Sequence, residues 1–199
     1  AEGCGAALLA VSTDYVFDGT AIAPYAEEAT AAPASVYGAS KWAGEQAVRA
    51  VTPRHAIVRT SWLFGPGGPN FVDTILARAR AGQGLRVVDD QRGSPTFTRD
   101  LAQGLLRLVE AGTFGTYHCT NSGDCTWYDL AAHALACAGL DVPLERTDTA
   151  SFPRPARRPA YSVLSNGRFE SVTGWRMPPW QDAVRRHLEA TAGASGRDR

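Results

Sequence analysis

The chain has 199 residues, 44% of them hydrophobic, and its 20 lysines and arginines balance 20 aspartates and glutamates. That length suits one domain, or one domain and a small lobe, around a real core. Zero net charge supplies no field for nucleic acid or an anionic membrane surface, and the longest apolar run, Ala6 to Val11, is far too short to cross a bilayer. With no basic segment leading into a hydrophobic stretch, a cytoplasmic protein without membrane or nucleic-acid partners is expected. Cys4, Cys119, Cys125 and Cys137 contain no Cys-x-x-Cys. His133 and Cys137 stand four apart, which mimics half a metal site. Small thiols in a reducing compartment, with no metal and no disulfide, are the expected reading.

In chain order, Ala6 to Ser12 reads as a buried parallel strand, and Asp18 to Ala34, rich in Ala, Thr, Pro and Gly, as a loop. Val36 to Val51 has a helical pattern with Pro53 just beyond its end. His55 to Ser61 is a second buried strand, and GPGGP (65–69) a turn before a helix over about 70–81. A strand at Leu85 to Val88 leads into the loop Asp89 to Phe97. A helix follows over about 98–111, then a strand at Thr116 to Thr120. Thr126 is the expected cap of a helix running to Ala138. Phe152 to Pro159 holds three prolines in eight residues and must be extended or looped. A last helix is predicted over 180–190, with a frayed tail over 191–199.

Strands alternating with helices predict an α/β fold with parallel strands. A nucleotide-binding α/β fold opens with a strand and a glycine-rich turn, and no G-x-x-G-x-x-G occurs in these 199 residues. The chain therefore reads as the C-terminal portion of a Rossmann-like doubly wound sheet, with the first strands and the glycine loop expected to precede Ala1.

Tyr37-Gly38-Ala39-Ser40-Lys41 places tyrosine and lysine four apart on one helix face. An ammonium near a phenol favours the phenolate and brings tyrosine toward use as an acid at neutral pH. By itself the pattern also occurs by chance on surface helices. Its context is more informative: Ser12 to Gly19 lies at the carboxyl end of the first strand, where open α/β sheets bind ligands. A Thr13 hydroxyl there can hydrogen-bond a carbonyl undergoing reduction, and it can equally cap the strand.

The order Thr, then Tyr-x-x-x-Lys, resembles the extended short-chain dehydrogenase/reductase superfamily. STDYVFDG (12–19), PYAEE (24–28), VYGASKWAGE (36–45), VRTSWLFG (58–65), NF (70–71), VVDDQRGSPT (87–96), GTYHCTNSG (115–123) and RPAYSVL (158–164) together resemble the dTDP-4-dehydrorhamnose reductase family over nearly the whole chain. The resemblance implies NADPH-dependent reduction of the C4 keto group of dTDP-4-dehydro-L-rhamnose, with NADH as the alternative cofactor. It implies Thr13, Tyr37 and Lys41 as the catalytic triad, with Tyr37 and Lys41 also meeting the cofactor. Asp14, Tyr15, Trp62, Asn70, Gln91 and Thr96 become candidate sugar-nucleotide contacts, with Thr13 positioning the keto group. Tyr15 and Trp62 each keep an alternative as packed aromatics.

Arg92 departs from the family pattern and reads as a surface arginine, with a diphosphate contact as its alternative. Arg157 and Arg158 read as salt-bridging residues at the edge of a lobe, with ligand contacts as their alternative. The implied division is a catalytic part over 1–88, a mostly substrate-binding lobe over 89–190 with elements returning to the main sheet, and the tail. A homodimer is left open. Two rivals stand beside this reading: a reductase of another dTDP-4-keto-6-deoxyhexose, and a non-catalytic nucleotide-binding or regulatory subunit of the same fold.

Overall fold

The computed structural model describes residues 2–152 and 158–195. Its main sheet is parallel: β1 (Leu8–Thr13) and β7 (Gly115–His118) flank β2 (His55–Thr60), with Thr13 opposite Thr60 at the carboxyl end. Five of the six β2 side chains are buried, as a central parallel strand covered on both faces requires. The crossover from β1 to β2 is α1 (Val36–Val51), which Ser35 caps by accepting from the Gly38 N–H. The loop before it is tied by Tyr25, whose hydroxyl accepts from the amides of Gly19, Thr20 and Ala21 and donates to Asp18 at 2.7 Å.

A short β3 (Leu63–Phe64) precedes α2 (Phe71–Arg80) and β4 (Leu85–Val88). The loop after β4 carries two short strands, β5 (Arg92–Gly93) and β6 (Thr96–Phe97), before α3 (Thr98–Ala111) leads to β7. Then come β8 (Cys125–Thr126), α4 (Trp127–Ala138), β9 (Leu144–Thr147), α5 (Gly167–Thr173) and α6 (Trp180–Ser195). The pairs β3–β6 and β4–β9 are parallel, and β5–β8 is antiparallel. The expected cap at Thr126 is present as a full capping box with Asp129.

The hydrophobic residues divide between two main cores. One lies under the main sheet and gathers Val58, Leu101, Leu108, Tyr117 and Phe169. The other gathers Val72, Leu76 and Ala79 from α2 and Leu85 and Val87 from β4. They meet Leu130 and Ala134 of α4 and Val184 of α6. A division at Asp89 leaves α2 and β4 with the catalytic part, whereas their apolar sides face α4 and α6 and belong to the second core. The helix expected to fray at 191 continues to Ser195. Five of the residues in the proline-rich stretch, 153–157, lie outside the described residues, and Arg157 with them.

Candidate active site

Strand β1 ends at Thr13 and turns at once into a single 3₁₀ turn, Asp14–Val16. The Thr13 hydroxyl caps that turn, accepting from the Tyr15 amide at 3.3 Å and donating to Asp14 Oδ1 at 3.0 Å. The cap reading for Thr13 is thus met at the strand end. The turn packs against the start of α1. A Cβ at Gly38 would lie 2.1 Å from the Tyr15 carbonyl oxygen, so only glycine permits this approach. That contact brings Tyr37 edge-on to Tyr15, with ring centroids 5.7 Å apart. One turn further along α1, Lys41 donates from Nζ to the Val11 carbonyl at 2.8 Å, which ties the helix to β1.

Thr13, Asp14, Tyr15, Tyr37, Lys41 and Trp62 line one cavity of about 550 Å³ at the carboxyl end of β1 and β2. Tyr37 is 55% exposed and open to a ligand, whereas Asp14 is 2% exposed. Burial pushes the Asp14 carboxyl up to about 6, against the opposing pull of the nearby Ser162 and Thr13 hydroxyls. Its Oδ2 makes no hydrogen bond within the protein, nor does the buried hydroxyl of Thr60. Burial also raises the Tyr15 phenol; the Asp14 charge adds to this and Arg158 opposes it.

A second cavity, about 250 Å³, adjoins the first and shares Trp127 and Arg158 with it. Three arginines, Arg78, Arg86 and Arg158, line it together with Phe71, Gln91 and Trp127. Gln91 is held by the Thr149 hydroxyl and by Trp127 Nε1. Cations beside an aromatic pair suit a diphosphate next to a base.

Not every expected contact is brought to these cavities. Asn70 caps α2, and its amide is spent on Gly65, Gly68 and Asp73. Thr96 is 0% exposed and bonds Ser94. Arg92 is half-exposed and pairs with Asp124, in line with its surface reading. Arg158 departs from its expected place at a lobe edge and lines both cavities instead. Sequence reasoning passed over Thr60, Arg78, Arg86 and Trp127. Outward alternation on β4, with Leu85 and Val87 buried and Arg86 exposed, is the one local signal that could have drawn attention to Arg86.

A tyrosine and a lysine on the first crossover helix thus share one cavity with a threonine at the end of the preceding parallel strand of a Rossmann-like fold. The chain belongs to the RmlD substrate binding domain family, whose model matches residues 1–192. The spore coat polysaccharide biosynthesis protein SpsK of Bacillus subtilis is 42% identical over 190 residues, covering 96% of this chain and 66% of SpsK. A dTDP-4-dehydrorhamnose reductase of Streptomyces griseus is 42% identical over 207 residues, covering 99% of this chain and 68% of the relative.

Among solved structures, a dTDP-4-dehydrorhamnose reductase of Clostridium acetobutylicum superposes with a TM-score of 0.92 at 40% identity, covering 96% of this chain and 68% of that one. A Bacillus anthracis dTDP-4-dehydrorhamnose reductase, solved in complex with NADP, superposes with a TM-score of 0.90 at 37% identity, over 94% of this chain and 66% of that one. The chain thus spans about two thirds of the length of the relatives it matches.

Proposed function

We propose that the protein reduces the C4 keto group of a dTDP-4-keto-6-deoxyhexose with NADPH, and that dTDP-4-dehydro-L-rhamnose is its substrate. The observation that carries this reading is the convergence of Thr13, Tyr37 and Lys41 on one open cavity at the strand ends. The dinucleotide's nicotinamide ribose fits the residues present: Lys41 spends one hydrogen bond on Val11, and an ammonium has two more to give to ribose hydroxyls. Bound there, NADPH supplies the hydride. The remaining chemistry belongs to the chain. On substrate binding the Thr13 hydroxyl turns its one proton from Asp14 to the keto oxygen, and Tyr37 transfers its phenolic proton to that oxygen as charge develops. Its exposure then lets the phenolate recover a proton from solvent.

In the second cavity, Arg78, Arg86 and Arg158 meet the diphosphate, and Phe71 and Gln91 the nucleoside. On this reading the lobe that binds the nucleotide begins with α2 rather than at Asp89. The sister-reductase reading is kept alive by a Streptomyces niveus relative named dTDP-4-keto-6-deoxy-D-glucose reductase, 43% identical over 184 residues. The test is NADPH oxidation by the full-length protein with each of the two keto sugar nucleotides in turn. Turnover of dTDP-4-dehydro-L-rhamnose at the higher kcat/KM is expected. Faster reduction of the other sugar would hand the assignment to the sister reductase, and no turnover of either would contradict the reductase reading.

A further inference from the structure

Trp62 is the one non-glycine residue among those described with a positive φ, 47°, a backbone state that bulky side chains rarely adopt. The strain is maintained by contacts on both sides. The Trp62 carbonyl accepts from the Thr96 amide at 3.2 Å, and the neighbouring Ser61 hydroxyl bonds the Ser94 carbonyl at 2.7 Å. Its indole passes so close to Gly93 that a Cβ there would lie 2.5 Å from the ring. It then stacks on Trp127, with centroids 3.6 Å apart and planes 7° from parallel.

Trp127 is itself held on three sides: its Nε1 donates to Gln91 at 3.1 Å, Phe71 packs against it at 4.6 Å, and it opens α4 inside the Thr126–Asp129 capping box. Trp127 lines both the catalytic cavity and the arginine-lined one. The stacked pair therefore stands where the two spaces meet.

We propose that Trp127 is a substrate-binding and specificity-determining residue that fixes Trp62 as the platform under the sugar, at the junction between sugar and diphosphate. This inference rests on the proposed sugar-nucleotide reading. A ligand with both a diphosphate and a sugar spans the two cavities and crosses the edge of the pair, whereas a nucleoside diphosphate alone fills only the arginine-lined space. An aromatic backing of this kind is worth about three- to tenfold in affinity.

The experiment is calorimetric titration of dTDP-L-rhamnose, dTDP and NADPH into the full-length wild type, Trp127→Ala, Trp127→Phe and Gly93→Ala. Trp127→Ala is expected to weaken dTDP-L-rhamnose about tenfold, dTDP by a clearly smaller factor through the lost Gln91 bond, and NADPH hardly at all. Trp127→Phe should recover most of the loss. Gly93→Ala, which pushes Trp62 off its partner and leaves Trp127 in place, should reproduce the selective loss. If Trp127→Ala fails to fold and loses all three ligands, Gly93→Ala and Trp127→Phe decide. Equal losses for dTDP and dTDP-L-rhamnose, or none for either, would overturn the inference while leaving the reductase reading intact. Failure of the wild type to bind either dTDP ligand would overturn that reading, and this inference with it.

Discussion

Asp14 concentrates at one residue the tension between stability and a binding site. Its carboxyl is almost wholly removed from water, one oxygen accepts from Thr13, and the other is unbonded. Burying a charge in this way disfavours ionisation, which lifts its pKa from 3.8 to about 6. Between those two values the native state holds more protons than the unfolded chain, so this group lowers stability as pH rises and stops doing so above about 6. Asp14→Asn removes that penalty. Denaturation of wild type and variant at pH values from about 4 to about 8 should show the variant gaining on the wild type by on the order of 3 kcal/mol, mostly below neutrality. A stability difference that stays flat across that range would show that Asp14 titrates normally. None of this burial was legible in the sequence, where Asp14 stands out only as part of a family string. The Tyr37–Lys41 pair was legible because helix geometry alone puts residues four apart on one face.

At the scale of elements, the position of α1 decides whether that pair faces the strand ends. Continuing along the face of Tyr37 and Lys41, the next position is Glu45, which is 3% exposed. Glu45 accepts from Ser12 on β1 at 2.6 Å and from Arg59 on β2 at 2.9 and 2.8 Å, and Arg49 adds a bond from the next helical turn. Burial opposes the charged form, but the Arg59 and Ser12 bonds and the two arginine charges hold the Glu45 carboxyl below its usual range. Arg59 is itself buried and lies 5.0 Å over the Phe17 ring. The pair thus clamps α1 to both strands. Glu45→Ala should cost about 3–5 kcal/mol in urea unfolding, because it strands the Arg59 cation in the interior. Adding Arg59→Met should restore a substantial part of that loss. If the double variant is as unstable as the sum of its parts, the clamp is not a coupled pair.

Long periodic segments such as α1 and α3 were readable, since one apolar or functional face recurs at helical spacing. The short strands β3, β5, β6 and β8 were not, because two residues carry no period. Polar β9 and the short α5 gave no usable pattern either, and β9 exists because β4 pairs with it.

For the whole molecule, the fold matters because it joins two cavities whose walls come from distant parts of the chain. The cavity proposed as catalytic draws on residues that cluster at 12–15, 37–41 and 62, in strings that carry a family resemblance. The arginine-lined one was not foreseeable, since Arg78, Arg86, Trp127 and Arg158 lie in separate elements and meet only after α2, β4 and α4 pack around the second core. Asn70 and Thr96 came from the same family strings, and they serve the cap of α2 and the interior of the loop.

The central claim is that this arrangement transfers a proton from Tyr37 to a sugar keto oxygen. Tyr37→Phe in the full-length protein tests it most directly, because only the phenolic oxygen and its proton are removed from a side chain that is 55% exposed. The turnover of dTDP-4-dehydro-L-rhamnose with NADPH should fall by about 10²–10⁴-fold, with dTDP-L-rhamnose affinity and thermal stability close to wild type. Turnover retained at the wild-type rate at neutral pH would contradict the account and pass the role of acid to another group in the cavity.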